Sequence, residues 1–440
     1  SDYIAWGEAA SGDLVVDPGL WSIDNFGDKV ISLIHNAQVF EWDSNATNAV
    51  TVRATIIAGA PTASRDMLVS TPDRHLVFFG TEETIGDPTT QDEMFIRFSD
   101  QEDINTYQPT AVNTAGTQRL ADGSKIVGAV RGRDATYIWT DTSLFTMRFI
   151  GQPLTFGFQQ VGTNCGLIGQ NAALEVDGAA YWFSENGFFK YSGSLETMTC
   201  LVEDFVYNDL NTTANQLINV GLNNLFGEIT WFYCTESSTV VNRCVTYNYQ
   251  DSSPQRPVWT TGTLARGSWT DSSVFGLPHA TFFNASDDSS FDVVGNTEGS
   301  TIYFEHEKGT DEALANGVTA ITSNIESGDF DITQARSSTG QQTGVATFKG
   351  DGEFLMKIRR FIPDFLSQTG NTQVTLQLRN YPNSSQASSP LGPFTITSST
   401  DKVDTRARAR AISLKVANTA VGQSWKLGTF RLDTQPDGRR

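Results

Sequence analysis

Little in this chain supplies catalytic or metal chemistry. It holds four histidines (His35, His75, His279, His306) and four cysteines (Cys165, Cys200, Cys234, Cys244) in 440 residues. No His-x-His or His-x-x-x-His spacing sets two imidazoles on one metal, and no Cys-x-x-Cys or Cys/His spacing suggests zinc. Each histidine reads as a turn or surface residue. The cysteines are too sparse for a disulfide scaffold. Cys234 and Cys244 flank an expected hairpin and are placed to face each other, yet reduced thiols are the expectation. No Gly-x-Ser-x-Gly elbow or phosphate-cradling Gly-x-x-x-x-Gly-Lys-[Ser/Thr] loop occurs. The Asp-box repeat of sialidase propellers is absent too. The stretch NASDDSSFD (284–292) lacks the spacing and closing Glu of a calcium loop and reads as a solvated loop. The expected catalytic, cofactor and metal residues are therefore none.

Long apolar runs are missing as well, and no charged, apolar, small-residue leader opens the chain, so neither membrane insertion nor classical secretion is expected. The sequence begins at Ser1 without a methionine, inside a Gly/Asp loop, SDYIAWGEAASGD, which reads as a trimmed start or a fragment. Basic charge is scarce: 30 Lys and Arg face 50 Asp and Glu, for a net charge of −20. That balance argues against a groove gripping phosphates. It fits a surface past which DNA slides, and equally an abundant protein kept soluble by its charge.

What is present is β-sheet material. Charged residues are only 18% of the chain and Gly, Ser, Thr and Asn are plentiful, the opposite of a helical composition. Short β-branched and aromatic runs separated by turn residues fill the first three-quarters. KVISLIHNAQVFEWD (29–43), ATYIWTDTSLFTMRF (135–149) and AAYWFSENGFFKYSG (179–193) each read as two strands about a tight turn, alternating so that one face is apolar. Markers on the aromatic second strand, Phe40, Phe95, Phe145, Phe189, Tyr247 and Tyr303, are separated by 55, 50, 44, 58 and 56 residues. A period of roughly 50 falls in the range of propeller blades and implies about six of them. A β-sandwich with hairpins spaced by chance is the competing arrangement.

After residue 320 the pattern changes to longer alternating strands: 325–332, 353–365, 372–381, 393–398, 409–418 and 424–434. They suggest a separate antiparallel sandwich. The expected organisation is all-β: an N-terminal loop segment over 1–20, a β-propeller-like array over 21–320 and a C-terminal β-sandwich-like domain over 321–440. From Asp401 to Arg440 nine basic residues face four acidic ones. The alternation in TRARARAISLKV sets Arg406, Arg408 and Arg410 on one strand face, alanines opposite. Solvent, an acidic neighbouring subunit, or DNA are the partners open to them; Arg406, Arg408 and Arg410 are the candidate subunit-interface residues.

The run 94–173 carries R-F-S-D-Q-E-D at Arg97–Asp103, N-T-A-G at Asn113–Gly116 and T-D-T-S-L at Thr140–Leu144. With W-S-x-D-N-F-G at Trp21–Gly27 and E-x-x-W-F-Y-x at Glu228–Cys234, it resembles the tail-hub, "stabilisation" or tail-nozzle proteins of short-tailed double-stranded-DNA bacteriophages. The resemblance covers Trp21 to Phe330, and the rest loosely. It implies a non-enzymatic virion protein of the tail, assembled in the host cytoplasm. The subunits would form a homohexameric ring below the portal and adaptor, support fibres or spikes, and enclose the channel through which DNA passes without sequence-specific binding. A phage-borne propeller glycosidase or depolymerase, and a receptor-binding adhesin using aromatic loops around Trp259 and Trp269, are the alternatives.

Overall fold

The computed structural model of the chain describes residues 20–47, 49, 51–71, 73–271, 276–283, 301–314, 317–336, 342–347, 354–381 and 389–438. Strands dominate, arranged in consecutive antiparallel meanders. Trp21–Phe26, Lys29–Ile34, Val39–Asp43 and Thr55–Ile56 (β1–β4) make the first sheet, and Asp66–Val69, Leu76–Phe79, Phe95–Phe98 and Gly116–Arg119 (β5–β8) the second. The third contains Ile126–Arg131, Thr136–Thr140, Ser143–Gly151 and Thr155–Thr163 (β9–β12); the fourth Ala173–Val176, Ala179–Ser184, Gly187–Tyr191 and Leu195–Thr197 (β13–β16). Asn219–Asn223, Glu228–Tyr233, Arg243–Asn248 and Trp259–Gly262 (β17–β20) form the fifth. Ser268–Thr270, His279–Phe283 and Thr301–Glu305 (β21–β23) form a three-stranded sixth. The first strands of successive sheets lie side by side from β1 through β5, β9, β13 and β17 to β21. This is a β-propeller-like array of six blades. Among the described residues no blade mixes strands from the two ends of the chain.

All six aromatic markers fall on the third strand of their blade: Phe40 on β3, Phe95 on β7, Phe145 on β11, Phe189 on β15, Tyr247 on β19 and Tyr303 on β23. The expected hairpins are thus the second and third strands of each sheet. Their alternation is a different matter. In LVFF of β6, TYIWT of β10 and AAYWFS of β14 every residue is buried. A blade has a neighbour on both faces, so its second strand reads as a continuous apolar run. Phe78 packs into the first-to-second blade core, whereas Val77 and Phe79 on the same strand pack into the second-to-third.

Tryptophans pin the blades together. Trp139, Trp182 and Trp231 occupy the fourth position of β10, β14 and β18, and all are wholly buried. Trp182 Nε1 donates to the Cys165 carbonyl at 2.8 Å, and Trp231 Nε1 to Ala172 at 2.9 Å. Trp259 donates to Thr199 and Trp269 to Leu222, each at 2.9 Å. Each bond runs from one blade to the preceding one, so burial of the indole and satisfaction of its N–H favour the same register. Gly221 leaves room for this: a Cβ there would stand 2.6 Å from the Trp269 ring.

Nearer the axis, two side chains and two backbone amides meet on Asp66. Its Oδ1 accepts from Ser22 Oγ (2.6 Å), the Met67 amide (2.8 Å) and Gln170 Nε2 (3.1 Å), and Oδ2 accepts from the Ala129 amide (2.9 Å). Beside it Asp24 accepts from the Val69 amide at 2.8 Å and pairs with Arg131.

The chain divides into two compact units; described residues up to Phe283 with Thr301–His306 form the first, and Glu307 onward the second. The expected boundary at residue 320 lies inside the second unit, after the hairpin of Asp311–Leu314 and Gly317–Ala320 (β24, β25). Its core is a sandwich. Ser323–Glu326 (β26) joins one sheet; Thr333–Arg336 and Gln342–Thr347 (β27, β28) form a hairpin. Met356–Ile362, Phe365–Thr369, Thr372–Arg379, Ser389–Ile396, Val403–Ala409, Ala411–Asn418, Ser424–Leu427 and Arg431–Pro436 (β29–β36) complete it. Sheets β26-β34-β31-β32 and β33-β29-β36 enclose a common cluster in which Ile358, Phe361, Ala407 and Ala409 meet Val374, Leu376, Ile412 and Val416.

Asp66→Ala should destabilise the protein by about 3 kcal/mol or more in chemical denaturation, since each buried donor left without an acceptor costs on the order of 1–3 kcal/mol. A loss below about 1 kcal/mol would refute the role given to this carboxylate. Trp231→Phe, which keeps the ring but removes the bond to Ala172, should cost less, roughly 1–2 kcal/mol.

Candidate functional site

The six first strands surround an axial cavity of about 700 Å³, a size suited to small molecules. Each of the six blades contributes to its wall, through Ile23, Asp66, Val130, Leu174, Val220 and Ser268 among others. Its charged groups are engaged: Asp24 neutralises Arg131, and Asp66 is held by four donors. Burial pushes the Asp66 carboxyl up from its ordinary range, against the pull of those donors. Two carboxylates so occupied are braces between blades. Gln170 Oε1 and Asn219 Oδ1, both buried beside the cavity, have no hydrogen-bond partner among the described residues.

Of the four histidines, expected in turns or on the surface, His35 and His306 stand in turns, whereas His75 and His279 are buried. His75 is wholly buried, its Nδ1 2.6 Å from Asp73 Oδ2 and its Nε2 3.0 Å from Thr114 Oγ1. The chain of groups has the outline of a nucleophilic relay. However, the Thr114 hydroxyl donates to Asp100 at 2.6 Å, and Phe98 and Phe156 stand edge-on to the imidazole. The hydroxyl is a clamp on the loop, bonded to Asp100 and the Gln101 amide. Asp73, accepting from His75 and Ser70, is drawn below its usual range despite burial. In the sixth blade His279 is buried, and His306 Nε2 accepts from Arg266 Nε at 2.9 Å, with Trp269 4.5 Å away between ring centres. His35 is half-buried, Nδ1 2.9 Å from the Arg65 carbonyl.

The motifs that carry the family resemblance have the same structural character. Arg97 is buried and donates to the carbonyls of Glu82, Glu83 and Tyr107. Asp100 accepts from the amides of Gln101 and Thr114, and Asp103 from the Asn105 amide and Thr106 hydroxyl. Gly116 of N-T-A-G lies under Phe98, where a Cβ would come within 2.4 Å of the ring. Thr140 closes the T-D-T-S-L turn by accepting from the Ser143 amide at 2.8 Å.

On the sandwich, β33 keeps the expected alternation only in part. Arg406 and Arg408 are exposed while Ala407 and Ala409 are wholly buried. Arg410 does not share their face: the strand breaks there, and the chain passes from the β29 sheet to the β31 sheet. The two sheets must cover one core, and Arg410 forms the corner, its amide bonded to the Arg379 carbonyl. Arg408 pairs with Asp437 of its own chain at 2.5 Å.

Trp259 and Trp269 are packed against the neighbouring blade, each with its indole N–H bonded to a backbone carbonyl. Cys244 opposes Phe232 across the hairpin, and Cys234 lies just beyond the paired residues. Both are free thiols in one apolar cluster, raised to about 11 by burial. Among the described residues no three His, Cys, Asp or Glu side chains are grouped to hold a metal, and no helix is long and apolar enough to cross a membrane. The segment NASDDSSFD (284–292) lies outside the described residues.

Burial, with the Arg266 guanidinium and His279 nearby, holds the His306 imidazole down to about 4. An unfolded histidine titrates near 6.5, so the unfolded chain takes up the proton first. Stability tied to neutral His306 is therefore complete above about pH 6.5 and is lost as pH falls towards 4. His306→Gln keeps an acceptor for Arg266 and does not titrate. The Tm advantage of the wild type over this variant should shrink between pH 6.5 and 4; a constant difference would contradict the assignment.

No protein-family model matches the sequence, and comparison with curated proteins finds no match. Among solved structures the chain is similar to Sqt1 of Saccharomyces cerevisiae, at 9% identity over 74% of this chain and 91% of that one, TM-score 0.38. It is also similar to BamB from Moraxella catarrhalis, at 12% identity over 59% and 78%, TM-score 0.30. A third likeness is the AfRom2 CNH domain, at 10% identity over 59% and 76%, TM-score 0.35. At such scores the likenesses carry no functional inference, and the fold rests on the strand topology above.

Proposed function

We propose that this chain is a structural subunit of the short tail of a double-stranded-DNA bacteriophage, a nozzle or hub protein forming a homohexameric ring below the portal and adaptor. The ring would enclose the ejection channel and carry fibres or spikes. One observation carries the reading: the resemblance motifs at 21–27, 97–103, 113–116, 140–144 and 228–233 coincide with bracing residues, Ser22 and Trp231 bonding between blades and Arg97, Thr114 and Thr140 fixing loops and turns within them. Elements shared for such reasons specify a rigid scaffold, as a wall requires. The acidic excess supports it, since like charge discourages a polyanion from sticking. An axial cavity of about 700 Å³ is of small-molecule size, so DNA would travel along the axis of the ring and not through one propeller.

Electron microscopy of the purified full-length chain, and of particles labelled with an antibody against it, tests the reading. Rings of six subunits and label on the tail axis are expected. Monomers at all concentrations, with label away from the tail, would overturn it.

A further inference from the structure

Charge is divided unevenly along the chain. Residues 1–306 contain 37 acidic and 14 basic side chains, a net −23, whereas 307–440 contain 13 and 16, a net +3. The positive excess of residues 307–440 gathers on one surface. In the sheet β33-β29-β36, Ile358, Phe361, Ala407 and Ala409 face the core, which turns Lys357, Arg359, Arg360, Arg406, Arg408 and Arg431 outward. Three carboxylates interrupt these six cations. Arg360 lies 3.5 Å from Asp404 and 3.6 Å from Asp433, and Arg408 pairs with Asp437. Lys357, Arg359, Arg406 and Arg431 have no acidic partner among the described residues, and Ile362 stands 40% exposed among them.

We infer that this face docks on the acidic propeller unit of a second copy of the same chain, so that the ring is held by a head-to-tail contact of opposite charges. The inference rests on the ring reading above and names the surface that would close it. A heterologous contact needs two unlike patches on one molecule, and this chain has them, always in equal amounts. Nucleic acid is the other polyanion such a face can meet. Asp404, Asp433 and Asp437, interleaved with the cations, would repel a phosphate backbone, whereas a protein surface can oppose each sign with its complement.

The test uses full-length protein, half of it isotopically labelled, joined by a zero-length carbodiimide cross-linker. Amide links from Lys357 of one copy to carboxylates within residues 1–306 of another are expected. In parallel, Arg406→Glu/Arg431→Glu and Lys357→Glu/Arg359→Glu should weaken self-association at least about 10-fold, as should raising salt from about 0.05 to about 0.5 M. Circular dichroism and Tm check that both double variants, changed at surface positions, still fold. Self-association that survives both reversals, or cross-links confined within single copies, would overturn the inference and leave the ring reading standing. Loss of binding to a fluorescein-labelled DNA duplex in the variants, with self-association unchanged, would overturn it in favour of a nucleic-acid surface. Absence of self-association in the wild type would overturn both.

Discussion

Much of the propeller depends on one buried carboxylate. Asp66 stands on β5, yet its four acceptor bonds reach residues of the first four blades, and Asp24 and Arg131 repeat the device one step along the axis. Blades meet chiefly through side chains, which fix distance well and register poorly, because apolar contact is not directional. A buried carboxyl held by donors from several blades is directional, and it is costly to leave unsatisfied. The tryptophan N–H bonds do the same work farther from the axis. Packing brings the blades together, and these polar contacts decide how they sit.

The blade count was legible because each blade repeats one physical demand, an aromatic third strand covering its neighbour, and the six markers from Phe40 to Tyr303 record it. The tryptophans at the fourth position of β10, β14 and β18 were an equally regular signal that the aromatic spacing alone did not isolate. What stayed hidden depends on residues far apart in the chain. Nothing near His75 announces that Thr114 will reach its ring, and Ser22 and Gln170, 148 residues apart, meet only once the sheets are arrayed. Arg410 failed differently. Alternation is a local rule, and it ends where the chain must turn a corner to cover the other side of the core.

These details bear on function. The axial acids, the Asp73–His75 pair and the tryptophans take part in holding the array together. The chain offers a braced acidic unit joined in sequence to a unit with a basic sheet face. The wall subunit we propose would need rigidity and complementary edges.

Native-state hydrogen exchange tests the axial brace most directly. The amides of Met67, Val69 and Ala129, which donate to Asp66 and Asp24, should exchange only with global unfolding and share its denaturant dependence. Exchange of these three amides at the rate of exposed loop amides, while strand interiors stay protected, would contradict the account.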